Sequence, residues 1–197
     1  MYVDPSKDVD GLTLANQCLI GTKEQELGFI PCTPLGVMRL LKYYGIALRS
    51  QRVLVIGRSM LVGRPMALCA LAMDATVTIA HSKSVDIKEL ARQCDIIISA
   101  TGELGIINWS DCHERQVIVD VGMHRGINGK LHGDFGPIVT TPNVRAYTPV
   151  PGGVGPMTIN TLMYNVFQAY FRQTGQDWSL VKARIDLLTH NEYFNLF

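Results

Sequence analysis

The sequence predicts an α/β protein, a doubly wound and mostly parallel sheet with flanking helices, and three observations predict it. Four short runs, 52–56, 75–80, 95–100 and 116–121, are rich in Val and Ile without polar alternation, as in strands buried on both faces. Apolar residues at helical spacing separate the first three runs. The first run ends in a glycine-bearing turn that opens one of those helices. Strand, helix, strand, helix, strand is half of a Rossmann-like dinucleotide fold.

In chain order, the first 31 residues are polar and turn-rich (Asp4, Pro5, Asp8, Asp10, Gly11, Asn16) with no sustained period, and they read as a connector. Thr33 before Pro34 offers a capping hydroxyl and a proline at the first helical position. With Leu35, Met38, Leu40 and Leu41 as an apolar face and Gly45 as a stop, this predicts a helix over 34–44. A second helix is expected over 63–73, and a third after Ser84, where Ile87, Leu90, Ala91 and Cys94 mark one face. Beyond the fourth strand the pattern weakens to a β region at 138–141, another at 147–150, a glycine turn and a helix over 157–172. Residues 177–197 read as a terminal amphipathic helix carrying Leu180, Ile185 and Leu188.

Composition narrows the function classes. The 197 residues are 47% hydrophobic and 18% charged, with a mean hydropathy of +0.15, the balance of a compact soluble chain. Eighteen Lys and Arg against seventeen Asp and Glu leave a formal charge of +1, so no overall field favours nucleic acid or acidic lipid. The longest apolar run, 66–73, is far short of the roughly 18 residues a membrane helix needs, and residues 1–10 lack a signal pattern; a cytoplasmic location is expected. The five cysteines form no C-x-x-C pair and the five histidines no H-E-x-x-H, so neither a disulfide framework nor a metal is expected.

Three strings carry chemistry. Gly57-Arg58-Ser59-Met60-Leu61-Val62-Gly63 joins a buried strand to a helix, which presents backbone N–H groups and a positive helix end to a phosphate. Ser59 stands at the second glycine of G-x-G-x-x-G and Gly63 falls one place late, so an ordinary tight turn is the competing reading. The second strand ends in His81-Ser82-Lys83, without the Asp or Glu that would bind a ribose 2′-hydroxyl. Arg58 and Lys83 can both approach that point, which favours a 2′-phosphate and therefore NADP over NAD. The second string, TPVPGGVGPMT at 148–158, sets three prolines and three glycines directly before a helix, more special residues than an exposed turn requires. In the third, Lys7-Asp8-Val9-Asp10-Gly11, two carboxylates at i and i+2 stand beside a lysine. That pattern suits a polar ring or a capped turn, and spacing leaves both open.

In this order, the strings resemble the methylenetetrahydrofolate dehydrogenase/cyclohydrolase (FolD) family. Pro31-Cys32-Thr33-Pro34-Leu35-Gly36, Ala75-Thr76-Val77-Thr78, Val119-Asp120-Val121-Gly122 and Gly133-Asp134 extend the match, which runs from Pro5 to about Ala169 and leaves out the tail. The resemblance implies NADP-dependent oxidation of 5,10-methylenetetrahydrofolate to the methenyl form, with hydrolysis of that product to 10-formyltetrahydrofolate. It also implies that Gly57, Arg58 and Ser59 cradle the cofactor, that Ser82 and Arg58 meet its 2′-phosphate, and that the backbone of Met123 contacts the nicotinamide end. Pro151, Gly152, Gly153, Val154 and Gly155 would line the cleft to the folate, and Asp10 would be the catalytic-site contact to the pterin ring. By the same resemblance, residues 1–48 are a remnant of a folate-binding domain with its connecting helix and 49–150 the NADP-binding domain. Residues 151–175 are then a glycine/proline loop with a return helix, and 176–197 a tail. The helices at 34–44 and 157–172 would lack the partner that domain provides, leaving apolar surface. A tetrahydrofolate derivative and a second copy of the chain are the implied partners. No tyrosine is followed four places on by lysine, so the Tyr-x-x-x-Lys segment that the family uses for hydrolysis is not among these residues, and hydrolysis is not expected of them. A shortened family enzyme, an NADP-binding module without folate turnover and a decayed gene product are the readings left open.

Overall fold

The computed structural model describes residues 3–126 and 129–182. Its elements run α1 (Leu14–Leu19), α2 (Cys32–Tyr43), β1 (Arg52–Ile56), α3 (Gly63–Ala72), β2 (Thr76–Ala80), α4 (Ile87–Arg92), β3 (Ile96–Ser99), β4 (Val117–Asp120), β5 (His124–Arg125), β6 (Leu131–His132), β7 (Ala146–Tyr147) and α5 (Val154–Thr174). Five strands form a parallel sheet in the order β2-β1-β3-β4-β7, while β5 and β6 pair as a small antiparallel hairpin. Because β2 and β3 flank β1 on opposite sides, the crossovers through α3 and α4 part there. A crevice therefore opens at the carboxyl ends of β1 and β3, where sheets of this order take their ligands.

Period-two geometry explains why the strands show no alternation. Val53, Val55, Ile96 and Ile98 pack on the side of Met38 and Met66, from α2 and α3. Leu54, Ile56 and Ile97 pack on the other side with Ala91 of α4 and with Phe135. Both faces are covered, so β1, β3 and β4 are apolar along their length except at their ends, where Arg52, Ser99 and Asp120 stand. β2 differs more: it is an edge strand, Ile79 is 45% exposed, and the expectation that all four runs are buried on both faces fails there.

Helix α5 lies against α2. Gly36 permits the contact, since a Cβ at that position would stand 3.0 Å from the Met157 carbonyl oxygen. The Thr158 hydroxyl donates to Thr33 Oγ1 (3.1 Å), and Asn165 Nδ2 donates to the carbonyls of Val9 (2.8 Å) and Ile30 (3.2 Å). The outward side of α5 leaves Ile159, Met163, Phe167 and Tyr170 exposed, the apolar surface expected of that helix; the same expectation fails for α2, whose Val37, Met38 and Leu41 are buried against the sheet and its neighbours.

Several boundaries differ from the sequence reading. The stretch that reads as a connector contains α1 and two 3-10 turns; α1 shows no period in the sequence because it is short and buries Asn16 and Gln17 rather than an apolar stripe. Thr33 is not a cap: α2 starts one residue before it, after Pro31, and its hydroxyl serves the contact with α5. Residues 138–141 form no strand, and Val139 there is 88% exposed; the β structure lies in the β5–β6 hairpin instead. The strand expected at 147–150 is Ala146–Tyr147, and α5 begins at Val154, inside the glycine/proline string. In the tail, Trp178 packs on Tyr164 and Phe171, while the greater part of the amphipathic helix expected over 177–197 lies outside the described residues. Among the described residues no helix is long and apolar enough to cross a membrane, and no group of three or more His, Cys, Asp or Glu is placed to hold a metal ion.

Candidate cofactor site

The turn after β1 is held by close backbone contacts. Gly57 has φ 128°, and a Cβ there would overlap the Ala100 carbonyl oxygen at the end of β3. A Cβ on Gly63 would overlap the carbonyl oxygen of Gly57, so this late glycine still lets α3 pack against the strand end. Ser59 Oγ accepts from the Val62 (3.1 Å) and Gly63 (3.3 Å) amides and thereby caps the start of α3 from within the turn. The amides of Arg58 and Ser59 have no hydrogen-bond partner among the described residues. The Gly57 amide donates to the Ala80 carbonyl (2.8 Å), which sets this turn beside the one after β2. Ser82 and Lys83 are exposed in that second turn, which is closed by the His81 amide donating to Ser84 Oγ (3.0 Å). Gly57, Arg58, Ser59, Ser82 and Lys83 thus gather at one edge of the sheet.

Beyond β3, side chains make the site's framework. Asp134 accepts from Ser99 Oγ (2.8 Å), from the Thr101 amide (2.9 Å) and from His124 Nε2 (2.8 Å). Asp120 accepts from the amides of Gly122 (3.0 Å), Asp134 (2.9 Å) and Phe135 (3.0 Å). Burial pushes the Asp120 carboxyl above its ordinary range and the neighbouring Asp134 adds to this, against the opposing pull of the three amides. A Cβ on Gly122 would overlap the Asp134 carboxylate and one on Gly133 the Asp120 carboxylate, so the two Gly-Asp pairs interlock. Met123 follows directly and is 72% exposed.

The glycine/proline string continues this framework. Thr148 Oγ1 accepts from the Asp120 amide (2.8 Å), and Gly153 packs so closely on Pro149 and Thr148 that a side chain there would collide with both. Gly152 (φ 99°) and Gly155 face open space, while Val154 is buried and begins α5. A cleft of about 730 Å³, lined in part by Asp120, His132, Thr148, Pro149 and Val150, adjoins the string.

Asp10 stands elsewhere, and the two carboxylates that spacing left ambiguous separate. Asp8 is buried and accepts from the Leu12 (3.1 Å) and Thr13 (2.7 Å) amides and from Asn16 Nδ2 (2.9 Å). Burial pushes its carboxyl up, but these bonds outweigh that and hold it below the ordinary range. Asp10 is exposed beside Cys32, whose thiol is pushed up to about 12, first by burial and then by the Asp10 carboxylate. Asn165 anchors this loop about three turns along α5 from Val154. The turn reading therefore holds for Asp8, while Asp10 remains available to a ligand. Sequence reasoning did not single out His124, Asn165 or the pairing of Asp120 with Asp134; the only available signal was the repeated glycine–carboxylate adjacency at 120–122 and 133–134.

Comparison with known proteins fits this geometry. Residues 31–174 match the family described as tetrahydrofolate dehydrogenase/cyclohydrolase, NAD(P)-binding domain. The bifunctional protein FolD of Lactobacillus acidophilus is 47% identical over 89% of this chain and 61% of its own length. That of Thermus thermophilus is 45% identical over 85% of this chain and 58% of its own length. The crystal structure of the bifunctional FolD enzyme from Campylobacter jejuni superposes with a TM-score of 0.80 at 40% identity, covering 87% of this chain and 60% of that one. A Trypanosoma brucei FolD structure, complexed with NADP cofactor and inhibitor, gives 0.79 at 33% identity, over 87% of this chain and 61% of that one. The chain thus spans about 60% of the length of the relatives it matches. It belongs to the tetrahydrofolate dehydrogenase/cyclohydrolase family of enzymes, and the part of that family it carries is the NAD(P)-binding domain.

Proposed function

We propose that this chain carries the cofactor half of an NADP-dependent methylenetetrahydrofolate dehydrogenase. The observation behind it is the joint placement of two turns at the carboxyl edge of β1 and β2. One offers unpaired amides at Arg58 and Ser59 before a helix, and the other has Ser82 and Lys83 where an NAD-binding chain has a carboxylate. The donor set suits a 2′-phosphate: Arg58 and Lys83 supply charge, and Ser82 a hydroxyl. When bound, NADP⁺ supplies the hydride acceptor. The residues' task is to orient, because hydride leaves a carbon already activated by the folate's own nitrogen and no strong acid or base is needed. In this reading Gly57, Arg58 and Ser59 hold the phosphates and the Met123 backbone meets the nicotinamide. Pro151, Gly152, Gly153, Val154 and Gly155 form the wall between cofactor and folate, and Asp10 hydrogen-bonds the pterin ring.

Hydrolysis of the methenyl product is not assigned to these residues, since no Tyr-x-x-x-Lys segment occurs among the 197. The second reading is an NADP-binding module without folate turnover. The absorbance of reduced cofactor, followed with methylenetetrahydrofolate and NADP⁺, separates the two: an increase supports the dehydrogenase, and none, in a chain that binds NADP⁺, supports the module. Arg58→Ala is expected to weaken NADP⁺ binding by about 1–3 kcal/mol while leaving NAD⁺ unchanged. An equal loss for both cofactors contradicts the 2′-phosphate assignment. Association into a homodimer and a cytoplasmic location are part of the same proposal, the first open to sedimentation analysis.

A further inference from the structure

We infer that Asp134, together with His124, is the positioning group for the nicotinamide half of the site, separate from the half that holds the adenosine end. The inference rests on the NADP reading. If the 2′-phosphate lies at the turn after β2 and the pyrophosphate at the turn after β1, the dinucleotide crosses the sheet toward the ends of β3 and β4. Two loops form that far side, the one after Ser99 and the one after Asp120.

A single carboxylate joins them. Asp134 takes the Ser99 hydroxyl and the Thr101 amide from the β3 side and the His124 imidazole, next to Met123, from the β4 side. A carboxylate has only acceptor oxygens, so Nε2 donates and carries the proton. A face of the His124 ring is stacked on His132, with centroids 5.9 Å apart across the β5–β6 hairpin, which adds a second restraint on the imidazole. The arrangement has little slack: Asp134's own amide is held by Asp120, and its carboxylate fills the space a side chain at Gly122 would need. A shift of Asp134 therefore moves Thr101 and Met123 together. The turn after β1 is held instead by Ser59 and by backbone contacts and makes none of these bonds.

Two ligands separate the halves, NADP⁺ and adenosine 2′,5′-bisphosphate, which has the adenosine end and no nicotinamide. Titrated calorimetrically into the full chain, Asp134→Asn and His124→Ala are expected to raise the Kd of NADP⁺ about tenfold, the scale of one charge-assisted hydrogen bond. The bisphosphate should stay within about twofold of the unsubstituted chain. His124→Gln, which keeps a donor, should recover most of the NADP⁺ affinity, and Ser99→Ala tests the same carboxylate by a milder change if Asp134→Asn does not fold. Parallel losses for both ligands mean that the cluster only supports the fold, and unchanged NADP⁺ affinity means that it positions nothing; either overturns the inference. Failure of the unsubstituted chain to bind the bisphosphate overturns the NADP reading and the inference with it.

Discussion

The two halves of the sheet's carboxyl edge are built from different materials. Around β1 the chain is shaped by backbone meeting backbone: Gly57 against Ala100, and Gly63 against Gly57. Around β4 it is shaped by two carboxylates that gather the amides of Thr101, Gly122, Asp134 and Phe135, with a serine and a histidine. A backbone-built turn depends on which residues lack a side chain, a local property. A carboxylate-built one depends on partners distant in sequence, such as Ser99 and Asp134, and tolerates a change only where a donor to the carboxylate is kept.

The largest effect should come from the backbone-built half. Gly63→Ala places a Cβ on a carbonyl that cannot move away, and a loss of about 3 kcal/mol is expected from denaturant unfolding. Retention of full stability would break the contrast. In the other half Gly133→Ala pushes on the Asp120 carboxylate and should cost about 2 kcal/mol. Here the obstacle is a side chain, so combining Gly133→Ala with Asp120→Ala should cost less than the sum of the two single changes. Strict additivity would show that the clash is relieved elsewhere.

The same division governs what was legible in the sequence. The run 52–56 coincides with β1 residue for residue, because a buried central strand is apolar over its interior, here Val53 to Ile56, and the glycine that opens α3 marks that helix. The hairpin of β5 and β6 leaves no sequence signal because two-residue strands have no period, and α1 leaves none because its buried face is Asn16 and Gln17. Edge position made β2 less buried than its Val and Ile content suggested, since content does not report sheet order. The glycines of the first turn were legible as a close-packed turn between strand and helix, because each lacks a side chain where backbone approaches. Asn165, which fastens the Asp10 loop to α5, carries no local signal, because its partners are the carbonyls of Val9 and Ile30.

A smaller effect distinguishes two buried carboxylates by pH. Asp8 titrates below its unfolded value, so its contribution is complete above that value and is lost as pH falls through the folded one. Asp120 is raised, so its contribution is present below the unfolded value and is lost as pH rises through the folded one. Asp8→Asn should cost about 1–2 kcal/mol at neutral pH and flatten the acid limb of the stability curve. A variant curve parallel to that of the unsubstituted chain would contradict this assignment. Smallest is the effect on thiol chemistry: Cys18 is exposed, whereas burial pushes the Cys69 thiol up to about 12, so a maleimide should label Cys18 first and Cys69 only on unfolding.

The account rests on a 2′-phosphate being read at the turns that follow β1 and β2. Thermal unfolding of the chain with equal concentrations of NADP⁺ and NAD⁺ tests it most directly, because a ligand that binds only the folded state raises the midpoint according to its affinity. The account predicts a clearly larger rise with NADP⁺; equal rises, or a larger one with NAD⁺, would contradict it.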